Sequence, residues 1–198
     1  VRIRIGELMK HSIRVLGLAL AGLLIACALL LARPLHAQSE TAAPEPQSKV
    51  LYLTFDDGPS PYTQAILDTL ARHNAKATFF VLGRNAQGRG DLLHAMYAAG
   101  HGVAGHTYNH PSLPSLSRQR FDSEIASTAA VLGDLDHGCL RPPYGALNKT
   151  VRAAAAEDGY RLVMWTIDPR DWSRPGAAAI AQRVIQYAQP GGIVVMHD

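Results

Sequence analysis

Short apolar runs alternate with longer amphipathic stretches from Val50 to the end of the chain. The apolar runs predict six strands, at residues 50–55, 78–82, 102–105, up to about 141, 161–166 and 192–196. The amphipathic stretches predict five helices, at residues 62–73, 91–99, 118–132, 148–158 and 177–188. Ser117 is a predicted N-cap and Gly159 a glycine just past a helix end. This alternation is typical of a parallel α/β fold, either an open doubly wound sheet or a barrel.

Ionisable side chains follow five of these six apolar runs at the point where each run ends. They are Asp56 with Asp57, His106, Arg141, Asp168 with Asp171, and His197. In a parallel sheet the C-terminal ends of the strands share one edge, whichever of the two architectures forms. The sequence therefore predicts a functional site at that edge.

The two histidines of HTYNH, His106 and His110, have the spacing i, i+4, so on a helical turn they would face one metal ion together. A carboxylate from another strand end would complete a three-ligand set with open positions, as in catalytic zinc sites. If Asp57 is that carboxylate, Asp56 stays ionised beside it as a general base for water. The alternatives are an ordinary Asp-Gly-Pro turn and a chance spacing of two surface histidines.

Two further segments carry candidate chemistry. The two prolines of RPPYG stiffen a loop that would hold Arg141 against a carboxylate and aim the Tyr144 N–H at a developing oxyanion. His197 ends an apolar run, and a partner such as Asp171 would keep it protonated as a general acid. The alternatives are a surface turn and a structural histidine. Trp172 either belongs to the core or lines a small apolar pocket for a methyl group.

In chain order, the motifs TFDDGP, HTYNH, RPPYG, DPRDW and IVVMHD resemble the five motifs of the polysaccharide deacetylase family, the NodB-homology domain of carbohydrate esterase family four. The resemblance extends over residues 50–198. It implies an α/β fold, a distorted (β/α) barrel of fewer than eight strands. It also implies removal of N-acetyl groups, as acetate, from peptidoglycan, a chitin oligomer or an exopolysaccharide. The family usually continues for another helix and strand past the position of Asp198, so we expect a barrel truncated at its C-terminus.

The resemblance implies a role for each matching residue. The metal ligands would be Asp57, His106 and His110, holding Zn²⁺ or alternatively Co²⁺, Ni²⁺ or Mn²⁺. The catalytic residues would be Asp56 as general base oriented by Arg141, and His197 as general acid held by Asp171. The substrate-binding groups would be the Tyr144 amide at the oxyanion and Trp172 with Val195 around the acetyl group. Leucine is more usual in the family at the position of Val195.

Residues 1–37 predict an export signal. Lys10 and Arg14 precede an uncharged run at residues 15–32, and a small residue suits cleavage after Ala37. An uncleaved membrane anchor and a lipoprotein signal at Cys27 are the alternatives. The polar residues 38–49 predict a flexible linker to a deacetylase domain at residues 50–198. We therefore expect an exported protein, in the periplasm, the cell envelope or the extracellular space, with membrane contact only if the signal stays uncleaved.

The formal charge of +3 arises from that N-terminal segment. Residues 1–37 contain five basic residues and one acidic residue, and the remainder has a net charge of −1. A basic face is not supported, so no nucleic acid partner is expected. The expected partner is an acetylated amino-sugar polymer or oligomer. Two other functions stay open: an O-acetyl esterase for xylan-type polysaccharide, and a truncated, non-catalytic carbohydrate- or metal-binding module.

Overall fold

The computed structural model describes residues 50–198, and the predicted signal peptide and linker at residues 1–49 lie outside that range. The described chain forms one parallel sheet in the order β5-β4-β3-β2-β1-β6. Its strands are β1 Tyr52–Asp56, β2 Ala77–Val81, β3 Gly102–Gly105, β4 Cys139–Leu140, β5 Arg161–Leu162 and β6 Ile193–His197. The bounds of β1, β2, β3 and β6 agree with the predicted strands to within two residues.

Six helices connect these strands. They are α1 Thr63–Arg72, α2 Gly83–Ala86, α3 Gly90–Ala98, α4 Arg118–Leu132, α5 Lys149–Glu157 and α6 Ala177–Tyr187. The five predicted helices are confirmed to within one residue at each end, and Ser117 caps α4 by accepting a hydrogen bond from the Arg120 N–H. The single turn α2 was not predicted, because four residues show no hydrophobic period. Among residues 50–198, no helix has the length and apolarity needed to cross a membrane.

The sheet curls into a half-barrel, and the segment that follows β5 crosses towards β6. Ile167 forms a parallel bridge with Val194, and the Val195 N–H donates to the Ile167 carbonyl over 3.0 Å. The prediction of a strand over residues 161–166 is wrong beyond Leu162. The carbonyls that follow, of Val163 and Met164, accept hydrogen bonds from the Arg141 side chain, at 3.2 and 3.5 Å. The expected distorted barrel of fewer than eight strands is confirmed.

Side chains alternate between the two faces of β1, as strand geometry requires. Leu53 and Phe55 pack towards the helices, whereas Thr54 and Asp56 are buried inside the curl. Two apolar clusters fill the space between sheet and helices, one containing Leu70, Phe79, Val81, Leu93, Met96, Val103 and Leu132, the other Leu113, Phe121, Ile125, Leu140 and Val151. Each large apolar side chain buried there contributes about 1.5–3 kcal/mol. The helix-facing side of the sheet thus supplies the core, whereas the inner side carries polar groups together with Phe80 and Val195.

Candidate active site

A cavity of about 490 Å³ opens at the C-terminal ends of the strands. Its lining is mostly ionisable and aromatic: Asp56, Asp57, His106, His110, Tyr144, Trp165, Asp168, Trp172, Val195 and His197. Two predicted site residues are absent from this lining, Arg141 and Asp171, and they lie behind it as hydrogen-bond partners of Asp56 and His197. The structure therefore brings all the predicted site residues together, as expected from their positions at successive strand ends.

Asp57, His106 and His110 converge on one side of this cavity. The Nε2 atoms of His106 and His110 lie 3.6 and 3.4 Å from Asp57 Oδ1, and one ligand atom from each residue lies within 4.8 Å of the others. Ligand atoms bonded to a tetrahedral zinc ion at about 2.0–2.2 Å are roughly 3.3–3.6 Å apart. The two separations from Asp57 Oδ1 therefore match those of atoms that share a cation.

The hydrogen bonds of the cluster test whether a cation fits. Asp57 Oδ1 is buried and has no hydrogen-bond partner within residues 50–198, which is unfavourable for a carboxylate unless a positive charge compensates. His106 Nδ1 lies 2.7 Å from the Arg141 carbonyl oxygen, so it donates its proton there and leaves the Nε2 lone pair towards Asp57. Burial lowers the pKa of His106 to about 3 and also lowers that of His110. Both imidazoles are therefore neutral, the form that binds metal.

His106 and His110 do not lie on a helical turn, because residues 106–110 form a loop. Thr107 and His110 have φ angles of 69° and 66°, and Asp57 has a φ of 74°. Left-handed backbone is unfavourable for residues other than glycine, and more so for a β-branched threonine. The loop doubles back on itself, and the His110 N–H donates to Thr107 Oγ1 over 3.1 Å. The two imidazoles meet for that reason and not through a helical repeat.

Asp56 has a different environment from its neighbour Asp57. Its side chain is 3% exposed, and its Oδ1 accepts a hydrogen bond of 2.7 Å from Arg141. Arg141 is fully buried, donates also to Thr54 Oγ1 over 2.6 Å, and lies 3.9 Å above the centroid of the Phe80 ring. Burial raises the pKa of Asp56 to about 6, although the positive charge of Arg141 opposes that rise. Asp56 is thus an anion at neutral pH that accepts a proton readily, as a general base must.

His197 and Asp171 form a pair joined by two hydrogen bonds at the end of β6. His197 Nδ1 lies 2.9 Å from Asp171 Oδ1, and the His197 backbone N–H donates to Oδ2 over 2.7 Å. The hydrogen bond to Asp171 raises the pKa of His197, against the effect of burial. Burial alone would raise the pKa of Asp171, but the hydrogen bonds from His197 lower it. The pair therefore holds a proton on the imidazole to a higher pH than a free histidine would.

Residues 43–163 match the family model described as polysaccharide deacetylase, which is more than half of the chain. The chitooligosaccharide deacetylase of Sinorhizobium fredii (strain NBRC 101917 / NGR234) is 40% identical over 168 residues, which cover 81% of this chain and 75% of that protein. The chain belongs to the polysaccharide deacetylase family. Asp171, Trp172, Val195 and His197 lie after the matched range, so their positions rest on the geometry described above.

Solved structures of family members share the fold. The Bc1960 peptidoglycan N-acetylglucosamine deacetylase superposes with a TM-score of 0.72 and 34% identity, covering 77% of this chain and 74% of that chain. Wild-type BA3943 from Bacillus anthracis, described as a pseudoenzyme, superposes with a TM-score of 0.70 and 30% identity, covering 77% and 56%. Because one fold carries both a deacetylase and a pseudoenzyme, activity has to be argued from the side chains of the site.

Three residues at or beside the cavity had been assigned no role in the reaction. Trp165 lines the cavity from a run that was predicted as a strand, and Asp168 lines it from the loop that also carries Asp171. Asp198 accepts hydrogen bonds of 2.6 Å from Ser60 Oγ and from Thr63 Oγ1, so it ties the end of β6 to the loop after Asp57. Its place directly after His197 was the one available signal.

Proposed function

We propose that this protein is a divalent-metal-dependent N-deacetylase that acts on N-acetylglucosamine units of a polysaccharide or oligosaccharide. One observation carries the proposal. Asp57 Oδ1, which has no hydrogen-bond partner within residues 50–198, faces the neutral Nε2 atoms of His106 and His110 at cation-sharing distances. A proton donor and a proton acceptor line the same cavity, and together these groups suit metal-assisted hydrolysis.

Asp57, His106 and His110 would hold the cation. Zn²⁺ is the first choice for a set of one carboxylate oxygen and two imidazole nitrogens, with Co²⁺, Ni²⁺ and Mn²⁺ as alternatives. When bound, the cation polarises the acetyl carbonyl as a Lewis acid and balances the charge of Asp57. Three protein ligands match catalytic rather than structural zinc sites, which use four.

Asp56 is the base in this proposal. Arg141 occupies its Oδ1, while Oδ2 lies 3.8 Å from His106 Nε2, on the side of the cation ligands. Asp56 takes a proton from the attacking water as the oxygen bonds to the acetyl carbon. The Tyr144 backbone N–H donates to the oxygen that becomes negative in that step. Arg141 thereby fixes the orientation of the base without contacting the substrate.

His197 completes the reaction by giving its proton to the sugar nitrogen while the C–N bond breaks, which yields acetate and a free amine. Asp171 accepts the Nδ1 proton and the backbone N–H of His197, so it stabilises the doubly protonated ring whose Nε2 proton is transferred. Trp172 and Val195 line the cavity and would enclose the acetyl methyl group. A protonated acid matters more for an amine than for an alkoxide leaving group, so the His197–Asp171 pair favours an amide substrate over an O-acetyl ester.

Acetate release tests the proposal. The protein is incubated with an N-acetylated chito-oligosaccharide, and acetate and free amine are measured with and without a chelator. Equal amounts of the two products, both lost on chelation and restored by Zn²⁺, are expected. Release from O-acetylated xylan but not from the amide would overturn the proposal in favour of an esterase. Binding without release would identify a non-catalytic module. Release from peptidoglycan alone would change the polymer but not the reaction.

We also propose that the protein is exported. The basic residues Lys10 and Arg14, the uncharged run at residues 15–32 and the small residue Ala37 support this. Peptide mass spectrometry of the protein from a cell-envelope fraction should find a mature N-terminus at Gln38. An intact N-terminal segment in the membrane fraction would indicate an anchor instead, and recovery from the cytoplasm would overturn the proposal.

A further inference from the structure

The two loops that carry the cation ligands have strained backbones that they cannot maintain alone. Asp57, Thr107 and His110 all have φ angles between 66° and 74°. Such conformations persist in residues other than glycine only where surrounding contacts impose them. Asp57 belongs to the first loop and the other two to the second. The contacts that impose the two loop conformations therefore also determine where the ligand atoms lie.

The short helix α2 contacts both loops. Asn85 Nδ2 donates to the Asp57 carbonyl oxygen over 2.7 Å. From the same helix, the N–H groups of Gly83 and Arg84 donate to the carbonyls of Thr107 and Tyr108, at 2.9 and 3.2 Å. A Cβ atom at Gly83 would lie 2.5 Å from the Tyr108 ring, so the approach of α2 to the second loop requires glycine. One rigid turn thus sets the distance between the loops.

Glu124, on α4, holds the second loop from its other side. Its Oε2 accepts the backbone N–H groups of Tyr108 and Asn109, at 2.9 and 2.8 Å, and its Oε1 accepts Asn109 Nδ2 at 2.8 Å. One carboxylate therefore binds three donors in two consecutive residues between His106 and His110. Bonds from N–H groups to an ionised acceptor are stronger than bonds between neutral groups. This arrangement holds the doubled-back shape that brings the two imidazoles together.

We propose that Asn85 and Glu124 are positioning residues that set the separation of Asp57 Oδ1 from the two imidazoles and thereby tune cation affinity. Neither residue lines the cavity; Asn85 acts through the Asp57 backbone and Glu124 through the loop that ends at His110. The inference rests on the proposed function, because it assumes that Asp57, His106 and His110 hold a divalent ion. The inference gives α2 and one residue of α4 a role in the site that their sequence does not indicate.

The test compares cation affinity with stability of the cation-free protein. Glu124→Gln keeps the shape of the side chain but removes its charge and one acceptor. Asn85→Leu keeps the shape but removes the donor, and Asn85→Ser, too short to reach the carbonyl, is a second variant. Asp122→Asn on α4 and Gln64→Leu on α1 are matched controls, whose partners are surface residues. The dissociation constant for Zn²⁺ is measured by competition with a chromophoric chelator, and unfolding of the cation-free protein by urea.

Removal of a group that supports a metal ligand typically weakens binding by about 10–100-fold. We expect Glu124→Gln and Asn85→Leu each to raise the Zn²⁺ dissociation constant by about tenfold or more, while each control changes it less than about twofold. The visible absorption of the Co²⁺-loaded protein should change too, because it reports ligand geometry. A purely structural role would shift the urea midpoint and leave affinity and absorption unchanged, which would overturn the inference.

The same titration separates this inference from the proposed function. If the unaltered protein binds Zn²⁺ no better than His106→Ala does, the cation site itself is wrong and both ideas fail. If it binds Zn²⁺ and releases acetate while Glu124→Gln and Asn85→Leu bind equally well, only the positioning role fails. If Asn85→Leu does not fold, the result for Asn85→Ser decides in its place.

Discussion

The cavity contains two sets of carboxylate and imidazole groups, and they differ in how the groups meet. In the His197–Asp171 pair the atoms lie 2.9 Å apart in a hydrogen bond that raises the pKa of the imidazole. In the set formed by Asp57, His106 and His110 the closest atoms lie 3.4 and 3.6 Å apart, and burial lowers the pKa of both imidazoles. The first set keeps its imidazole protonated to a higher pH than a free histidine, whereas burial disfavours the protonated form of both imidazoles in the second.

The backbone explains why the same side chains behave so differently. His197 ends the regular strand β6, and Asp171 reaches both its ring and its backbone N–H. Asp57 and His110 lie instead in left-handed loop conformations, and His106 Nδ1 is engaged by a carbonyl that turns its other nitrogen inward. A hydrogen bond forms when two groups can approach freely. These loops hold the Asp57 carboxylate and the two imidazoles slightly too far apart for a hydrogen bond. That separation is what distinguishes a cation site from a proton site.

The largest effect is expected when the set formed by Asp57, His106 and His110, here called the cation set, loses its carboxylate. Asp57→Asn removes the negative charge that faces His106 and His110, so the protein should lose its cation and more than about 100-fold of its turnover, since loss of outer supports alone costs 10–100-fold in affinity. Metal analysis after dialysis and acetate release provide the measurement. Asp134→Asn removes the exposed partner of His94 and should change neither quantity. Full zinc content in Asp57→Asn would remove the basis of the contrast between the two sets.

Asp56→Asn makes the identical change one residue earlier, where we expect a different outcome. Loss of a general base reduces turnover by about 10²–10⁴-fold, but the three converging ligand atoms remain and should keep the cation. Because Arg141 loses its charged partner, urea unfolding of the variant shows whether the fold is retained. Zinc loss as complete as in Asp57→Asn would make Asp56 a ligand, and unchanged turnover would exclude it as the base.

The sequence was sufficient to predict what parallel sheet geometry determines. Asp56, Arg141 and His197 follow apolar runs, and the ends of parallel strands meet at one edge, so their convergence needed no knowledge of loops. Helix bounds were likewise predictable, because α1 has a clear hydrophobic period and α4 has a clear N-terminal signal in its Ser117 cap. These features depend on short-range patterns, which a single sequence displays directly.

Features set by contacts between distant loops were not predictable. The i, i+4 spacing of His106 and His110 showed that a helical turn could bring them together, but it gave no sign of the doubled-back loop that does so. Asn85 meets Asp57 across 28 residues of chain, and Glu124 meets Tyr108 across 16, from positions that look like ordinary helix surface. The end of β5 depends on where the Arg141 side chain finds carbonyl acceptors, which is decided only in the folded interior.

A smaller effect, confined to one substrate class, is expected from a change in the His197–Asp171 pair, here called the proton set. His197→Ala removes the acid for the leaving amine, so N-acetyl cleavage should fall by about 10²-fold or more. Cleavage of an O-acetyl ester should fall far less, because an alcohol leaves more easily than an amine. His94→Ala, which removes the exposed imidazole paired with Asp134, is the control. Equal losses on amide and ester would indicate that His197 supports the fold or substrate binding and donates no proton to the leaving group.

The smallest effect should be a shift in pH dependence when Asp171→Asn removes the carboxylate of the proton set. In the proposed mechanism, activity of the unaltered protein requires Asp56 to be ionised and His197 to be protonated. Its rate should therefore rise with pH up to about 6, the pKa of Asp56, and fall above the raised pKa of His197. A cation beside Asp57 favours the ionised form of Asp56 and so lowers its pKa. The acid limb of the profile, where the rate rises with pH, should therefore lie at or below pH 6.

Without the Asp171 carboxylate the pKa of His197 falls, so the basic limb should move to lower pH while the acid limb stays in place. The two limbs then approach each other, and the maximal rate should drop by roughly tenfold as less His197 is protonated where Asp56 is ionised. Profiles of kcat/KM against pH measure both limbs, and Asp134→Asn, whose carboxylate pairs with the exposed His94, should shift neither. A basic limb that does not move would mean that Asp171 is not the group that holds the proton on His197. The two sets would then differ in geometry, but not in whether the carboxylate keeps its imidazole protonated.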